Sequence, residues 1–362
     1  DFDALLDLFH TRCQALATSL KERLIAAELP IAESLRASAD RLAMLCGDTA
    51  GLYQRMLSTK TEAADGGGRR GSPTVAGRAL KCLFEQYQLL VMVGASMPTG
   101  LWRNAHGCFA QARQALKAPL LDQPDAERTY RELLALAAAQ PATLSPGEVL
   151  SVVEYLSRFS ATVEIAERSS LDAGERSFWF DPDGDFEPIA VKRKAPPGAG
   201  DILFVSCSRL GQLAAEQVRE LEAGTVPDHL HLPPHADQPS FRGLLRRLQE
   251  SWIEPPARNL SRRRLSYEVN ALVGFEAVRQ RLAGKNQDVG HGTPEVSTWI
   301  VVNESPAGFA LKHARGETRG LATGGIIALR NDEGRAWDVC VVRWLRSEFP
   351  GQVEIGVQVL SN

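Results

Sequence analysis

The chain has no uninterrupted apolar run of about 18 residues, the length a helix needs to cross a bilayer. Its longest apolar stretch, Leu89 to Ala95, is far too short, so no membrane span is expected. Its cysteines are few and scattered: Cys13, Cys46, Cys82, Cys108, Cys207 and Cys340, with no C-x-x-C pair among them. This spacing suggests neither a zinc site nor a disulfide framework, and free thiols in a reducing cytoplasm are the simplest reading. An excess of positive charge is also missing. The net charge of −3 argues against a nucleic-acid coat spread over the whole surface, while leaving room for a local basic patch. No H-E-x-x-H, G-x-S-x-G or G-x-x-x-x-G-K-[ST] occurs, and Gly284-Lys285 lacks both the upstream glycine and the following hydroxyl. No catalytic residue is nominated and a non-enzyme is expected. The chain begins at Asp1 rather than Met, so a removed targeting segment cannot be judged.

What is present is ordinary globular composition, 44% apolar and 23% charged, in a chain of 362 residues. That length favours two or three domains. From Asp1 to about Arg168 the pattern is helical. Leu5, Leu6, Phe9, Cys13, Leu16, Leu20 and Leu24 recur mostly at spacings of three and four, which predicts one buried face on a helix ending near Leu29-Pro30. Further helices are expected at about 31 to 57, 75 to 96, 100 to 117, 123 to 140 and 145 to 168. The last opens on Ser145-Pro146-Gly147-Glu148, a capping-box pattern with proline at the first helical position. Residues 1-170 therefore read as a helical bundle. Gly66 to Gly71 satisfies G-x-G-x-x-G, but polar helical residues precede it where a dinucleotide site needs a strand, so it reads as a loop.

Residues 171-256 form a mixed α/β connecting region. Phe178-Trp179-Phe180 and Phe186 to Val191 flank Asp181-Pro182-Asp183-Gly184-Asp185, which predicts a hairpin with a solvated turn; the glutamate that a calcium loop requires downstream is absent. A strand at Ile202 to Ser206 and helices at about 209 to 223 and 239 to 252 follow, the second with Leu244, Leu245 and Leu248 inward. His229, His231 and His235 sit in a proline-rich stretch with no fourth ligand evident, which favours a polar loop over a metal site. Pro255-Pro256 marks a boundary.

Residues 257-362 are strand-rich. Strands are expected at Val269 to Phe275, Thr298 to Asn303, Phe309 to His313, Ile326 to Arg330, Asp338 to Leu345 and Val353 to Leu360. A helix near Glu276 to Leu282 and a polar insertion from Gly284 to Glu295 interrupt them. The fold class is thus α+β: helical bundle, mixed middle, and a C-terminal small antiparallel β-barrel. Two features of this part carry chemistry. Arg258, Arg262, Arg263 and Arg264 cluster at its entrance, and guanidinium groups pair with phosphates and stack on bases. Downstream, Asn303-Glu304-Ser305-Pro306-Ala307-Gly308 interrupts or joins strands and offers an amide, a hydroxyl and a glycine that permits close approach or positive φ.

R-x-x-x-R followed by [D/N]-x-S-x-x-G among strands resembles the PilZ domain, a bacterial receptor module for cyclic di-GMP. The matching residues are Arg258-Asn259-Leu260-Ser261-Arg262 and Asn303 to Gly308. Gly325 to Leu329, Val341 to Trp344 and Glu354 to Leu360 resemble that family's later barrel strands. The resemblance implies a noncatalytic receptor with cyclic di-GMP as ligand and neither metal nor cofactor. Its binding residues would be Arg258, Arg262, Arg263, Asn303, Ser305 and Gly308. In the family the arginines wrap over phosphates and guanines, the Asn303 and Ser305 equivalents hydrogen-bond the ligand, and the Gly308 equivalent permits the tight turn. Either Arg263 or Arg264 could instead take the first arginine position, which leaves Tyr267 or Glu268 at the second. Binding would change the angle between barrel and helices, and the helical region would pass the signal to a protein partner or to a second copy in a homo-oligomer. The other readings are a degenerate barrel that acts as an interaction scaffold without nucleotide, an enzyme without a known motif, and a single-stranded nucleic-acid binder.

Overall fold

The computed structural model describes residues 2–28, 31–64, 73–115, 124–167, 178–198, 200–255, 263–282, 295–331, 336–347 and 352–361. Helices α1 (Phe2–Ile25), α2 (Glu33–Ala64), α3 (Pro73–Met92), α4 (Leu101–Ala115), α5 (Pro124–Ala138) and α6 (Pro146–Phe159) build the N-terminal bundle. Among these residues no helix is long and apolar enough to cross a membrane. The buried face of α1 differs from the expected one. Leu6, His10, Cys13, Ala17, Leu20, Lys21 and Leu24 are buried, whereas Leu5 is 64%, Phe9 43% and Leu16 59% exposed. Two stripes offset by one residue both fit spacings of three and four, and the alanine and the neutral histidine that complete the buried one carry no apolar signal.

Helix α6 starts as expected. The Glu148 N–H donates to Ser145 Oγ at 3.3 Å and the Ser145 N–H donates to the Glu148 carboxylate at 2.8 Å. It does not run to 168. It stops at Phe159, a 3-10 turn follows at Ser160–Thr162, and Glu164–Glu167 is strand β1. This short segment fits either period, and its strand state is set by its antiparallel partner. With β2 (Phe178–Phe180), β3 (Ile189–Ala190) and β4 (Leu203–Ser206) it forms an antiparallel sheet in the order β1-β4-β2-β3. Helices α7 (Ser208–Glu222) and α8 (Pro239–Ile253) follow, and the Trp252 indole N–H donates to the Ala135 carbonyl of α5 at 3.0 Å. One cluster of buried side chains runs from Leu6 to Trp252. His229 and His235 lie in two 3-10 turns and His231 just after the first, all three exposed, and no group of three potential metal ligands forms among the described residues.

The expected hairpin forms, but its second strand is cut to Ile189–Ala190 and its turn is not merely solvated. The Asp185 carboxylate accepts the N–H groups of Gly100, Trp102 and Arg103 at 2.5, 3.1 and 3.2 Å, so it caps the start of α4 from outside the helix. Desolvation pushes this carboxyl up, but the three N–H groups together hold it below its ordinary value of 3.8. Behind the cap, His106 is buried. Its Nδ1 lies 2.7 Å from the Tyr130 hydroxyl and its ring stacks on Phe180 at 4.7 Å, which joins α4, α5 and β2. Burial lowers its pKa to about 4. All six cysteines are buried as well.

Strand β5 (Arg263–Val273), helix α9 (Phe275–Leu282) and strands β6 (Ser297–Ser305), β7 (Gly308–Arg315), β8 (Ile326–Arg330), β9 (Asp338–Arg346) and β10 (Glu354–Ser361) form the C-terminal unit. Among the described residues the strands close an antiparallel barrel in the order β10-β7-β6-β5-β8-β9. Trp299, Val301, Leu311, Ile327, Val342, Ile355 and Val357 fill it as a core separate from that of the bundle. The expected helix after the first strand is α9. Most of the Gly284 to Glu295 insertion lies outside the described residues, as does the glycine loop at 66–71.

Removing the cap by Asp185→Ala is expected to cost about 1–2 kcal/mol at neutral pH in urea unfolding. Because the folded-state pKa is depressed, this contribution is present above the ordinary carboxyl pKa and lost as pH falls through the folded value. The gap between wild type and variant therefore narrows in acid, and a gap that stays constant would contradict the cap. His106 acts in a higher window. Its unfolded form binds more protons between its ordinary 6.5 and about 4, so stability falls as pH falls across that range. Unfolding titrations of His106→Gln should show a flatter profile there.

Candidate ligand-binding site

Ser305 ends β6 and Gly308 begins β7, so the polar hexapeptide is a hairpin whose turn is Pro306-Ala307. Proline fixes the first turn residue, and the Ser305 hydroxyl donates to the Gly308 carbonyl at 3.2 Å, leaving its oxygen lone pairs for another donor. The Ala307 carbonyl accepts the Val359 N–H at 3.0 Å, which ties the turn to β10. A Cβ on Gly308 would lie 1.9 Å from the Val357 carbonyl oxygen. This glycine is required by close approach rather than by positive φ.

Two β-bulges decide which side chains meet. On β6, Trp299 and Val301 point into the barrel, and simple alternation would send Asn303 and Ser305 after them. The pairing shifts between Val301 and Asn303, which leaves Val302 as an extra residue and turns Asn303 and Ser305 outward. On β9 the pairing shifts between Trp344, opposite Gly356, and Val342, opposite Val357, so Arg343 is extra. Arg343 and Trp344 are then presented on the same side as the turn residues. One outer rung reads Arg264, Asn303, Ala310, Gly356, Trp344, and the next reads Ser305, Gly308, Gln358, Val341. The small residues in the middle leave room. The result is an open pocket of about 220 Å³ whose walls include Asn303, Ser305, Gly308, Arg343, Trp344 and Gln358.

Its walls are fixed by contact. A Cβ on Gly356 would lie 1.8 Å from Trp344 Nε1, so the indole lies directly over that glycine. Arg343 donates through Nε and Nη2 to the Gln358 side-chain oxygen at 2.7 and 2.5 Å, which orients the guanidinium without neutralising it. The nearby carboxylate is turned away. Glu304, on the other face of β6, accepts the Tyr267 hydroxyl at 3.0 Å; burial, with help from this carboxylate, pushes Tyr267 up to about 12. The pocket therefore offers cationic and amide donors beside an aromatic plane, a combination suited to a planar, anionic ligand.

Of the residues nominated from sequence, Asn303, Ser305 and Gly308 come together. Arg263 is opposite Glu304, so it leaves β5 on the face away from Asn303, while Arg264 is opposite Asn303 itself. Arg258 and Arg262 lie outside the described residues. Arg343, Trp344 and Gln358 were not nominated, because alternation places Arg343 and Trp344 on opposite faces. A signal was available: Gly356, isolated in a strand, marks either a bulge or a close approach, and it marks both here.

Both parts of the chain are similar to known proteins. The N-terminal domain of the cyclic-di-GMP receptor FimW matches residues 2–169, and the middle PilZ domain of the same receptor matches residues 286–362. A curated relative, the cyclic-di-GMP receptor FimW of Pseudomonas aeruginosa, is 31% identical over 61 residues, which is 17% of this chain and 10% of the relative. That aligned stretch thus spans only a small part of the relative's length. With its helical N-terminal region and its closed C-terminal barrel each matched, the chain belongs to the FimW family of PilZ-domain cyclic-di-GMP receptors.

Proposed function

We propose that this chain binds cyclic di-GMP on the outer face of the barrel and that binding alters its domain arrangement or its grip on a protein partner. The observation that carries the reading is the convergence of Asn303, Ser305 and Gly308 with Arg343 and Trp344 on one pocket. Asn303 and Ser305 supply hydrogen bonds to guanine or phosphate, Arg343 a charge-assisted pair to phosphate, and Trp344 a stacking plane for a purine. Arg258 and Arg262 are the further phosphate-binding arginines, and Arg264, next to Asn303 in the pairing, takes the place of Arg263, which leaves β5 on the other face. Residues 257–362 act as the receptor unit, 1–170 as the helical output unit and 171–256 as the connection. The output partner is a protein or a second copy, in the cytoplasm. The reading includes neither a catalytic step nor a metal.

Isothermal titration of the purified chain with cyclic di-GMP, and with GTP, GMP and cyclic di-AMP as controls, tests this. Saturable binding restricted to cyclic di-GMP is expected. Arg343→Ala and Ser305→Ala should each weaken it about tenfold or more, the size of one lost charge-assisted or buried hydrogen bond. If neither variant changes the affinity, the site is elsewhere; if the wild type gives no heat, the barrel is an interaction scaffold. Gly308→Ala is expected to act on the fold itself. Its Cβ must displace the β10 backbone, at a cost of about 1–3 kcal/mol or more, read as a lower thermal midpoint without ligand.

A further inference from the structure

The end of β9 is held by the helical bundle. Arg36 of α2 is only 3% exposed. Its Nε donates to both Asp40 carboxylate oxygens at 3.0 and 3.1 Å, and its Nη1 donates to the Val93 carbonyl at 3.0 Å and the Ser347 carbonyl at 2.6 Å. The Ser347 N–H donates back to the Gly94 carbonyl at 3.0 Å. Val93 and Gly94 follow α3, and Ser347 follows the last residue of β9. Gly94 has φ +66°, and a Cβ there would lie 3.0 Å from the Ser347 nitrogen and 3.2 Å from Arg346 Cα. Both the left-handed backbone and the close contact call for glycine. A buried guanidinium that satisfies a carboxylate and two carbonyls is a strut with fixed geometry, unlike a solvated surface ion pair.

This strut stands next to the pocket wall. Trp344 precedes Ser347 by three residues, about 10 Å along a strand. Between them, the guanidinium carbon of Arg346 lies 5.5 Å from the centroid of the Trp344 ring. On the other side of Trp344 the bulge at Arg343 shifts the ladder by one residue, so only three pairs, Trp344–Gly356, Leu345–Ile355 and Arg346–Glu354, carry the shifted register to the strand's end. An anchor at that end reinforces this short run.

We propose that Arg36 is a positioning residue of the pocket: through Ser347 it sets where β9 ends, holding Trp344 and Arg343 against the outer face of the barrel. By reciprocity, occupation of the pocket is transmitted to the α2–α3 end of the bundle. The second half of this proposal rests on the cyclic-di-GMP reading; the first half does not.

The test uses the full chain labelled with 5-fluorotryptophan, whose six indoles include Trp344, assigned by its disappearance in Trp344→Phe. Arg36→Lys keeps the charge but loses the fork, Gly94→Ala disturbs the same junction from the other side, and Arg41→Ala on the exposed face of α2 is the control. In both junction variants the Trp344 fluorine resonance should shift or broaden while the other indoles keep their positions, and cyclic di-GMP should bind about fivefold or more weakly. Arg41→Ala should change neither readout. Two results overturn the proposal: a Trp344 resonance unmoved in both junction variants, or a displacement shared by all indoles, which reports general loosening. A selective Trp344 shift in a chain whose wild type binds no cyclic di-GMP would support the positioning role and refute the nucleotide reading.

Discussion

The candidate site depends on β10 lying closer to its neighbours than side chains allow. At Gly308 the β7 backbone meets the Val357 carbonyl where a Cβ would have to be, and at Gly356 the Trp344 indole occupies the same kind of space. Each missing Cβ brings a functional group inward: the first draws the Ser305 turn down onto β10, and the second lets an aromatic plane lie flat on the sheet. The pocket between them is formed by two absent methyl groups and bordered by Asn303 on one side and by Arg343 and Trp344 on the other.

The bundle is organised differently. Its helices depend on groups distant in sequence to satisfy what they cannot satisfy themselves. Asp185, from a hairpin, accepts the orphan N–H groups of α4, and Trp252 of α8 donates to an α5 carbonyl. His106 is kept uncharged by packing against Phe180. One continuous apolar cluster joins these parts, and the barrel has its own. Arg36 reaches from the first of these units to the second.

Features with a local cause were legible in the sequence. The Ser145–Glu148 box reports its helix start because both hydrogen bonds fall within one turn. The 303–308 hexapeptide reads as a strand junction because proline and glycine punctuate two apolar runs, and α9 is visible as an interruption between strands. What was hidden depends on partners far along the chain. Strand β1 is too short for its period to identify it and is defined by pairing with β4. The exposed stripe of α1 and its buried stripe carry similar apolar signals, and only the packing of the other helices chooses between them. Asp185 looks like any turn aspartate until α4 is placed beside it. Arg343 and Trp344 were missed for a different reason: a bulge changes the parity of a strand, and parity is what alternation reads.

Val302 and Arg343 are the surplus residues in their ladders, so the pocket is encoded partly by chain length and not by residue type alone. Deleting Val302 would place Asn303 directly after Val301, still opposite Ala310, and plain alternation would then keep Asn303 and Ser305 on the outer face without any bulge. A bulge thus marks a place where such a strand can gain or lose one residue without turning the side chains beyond it to the other face, whereas the same change elsewhere in the strand would turn them.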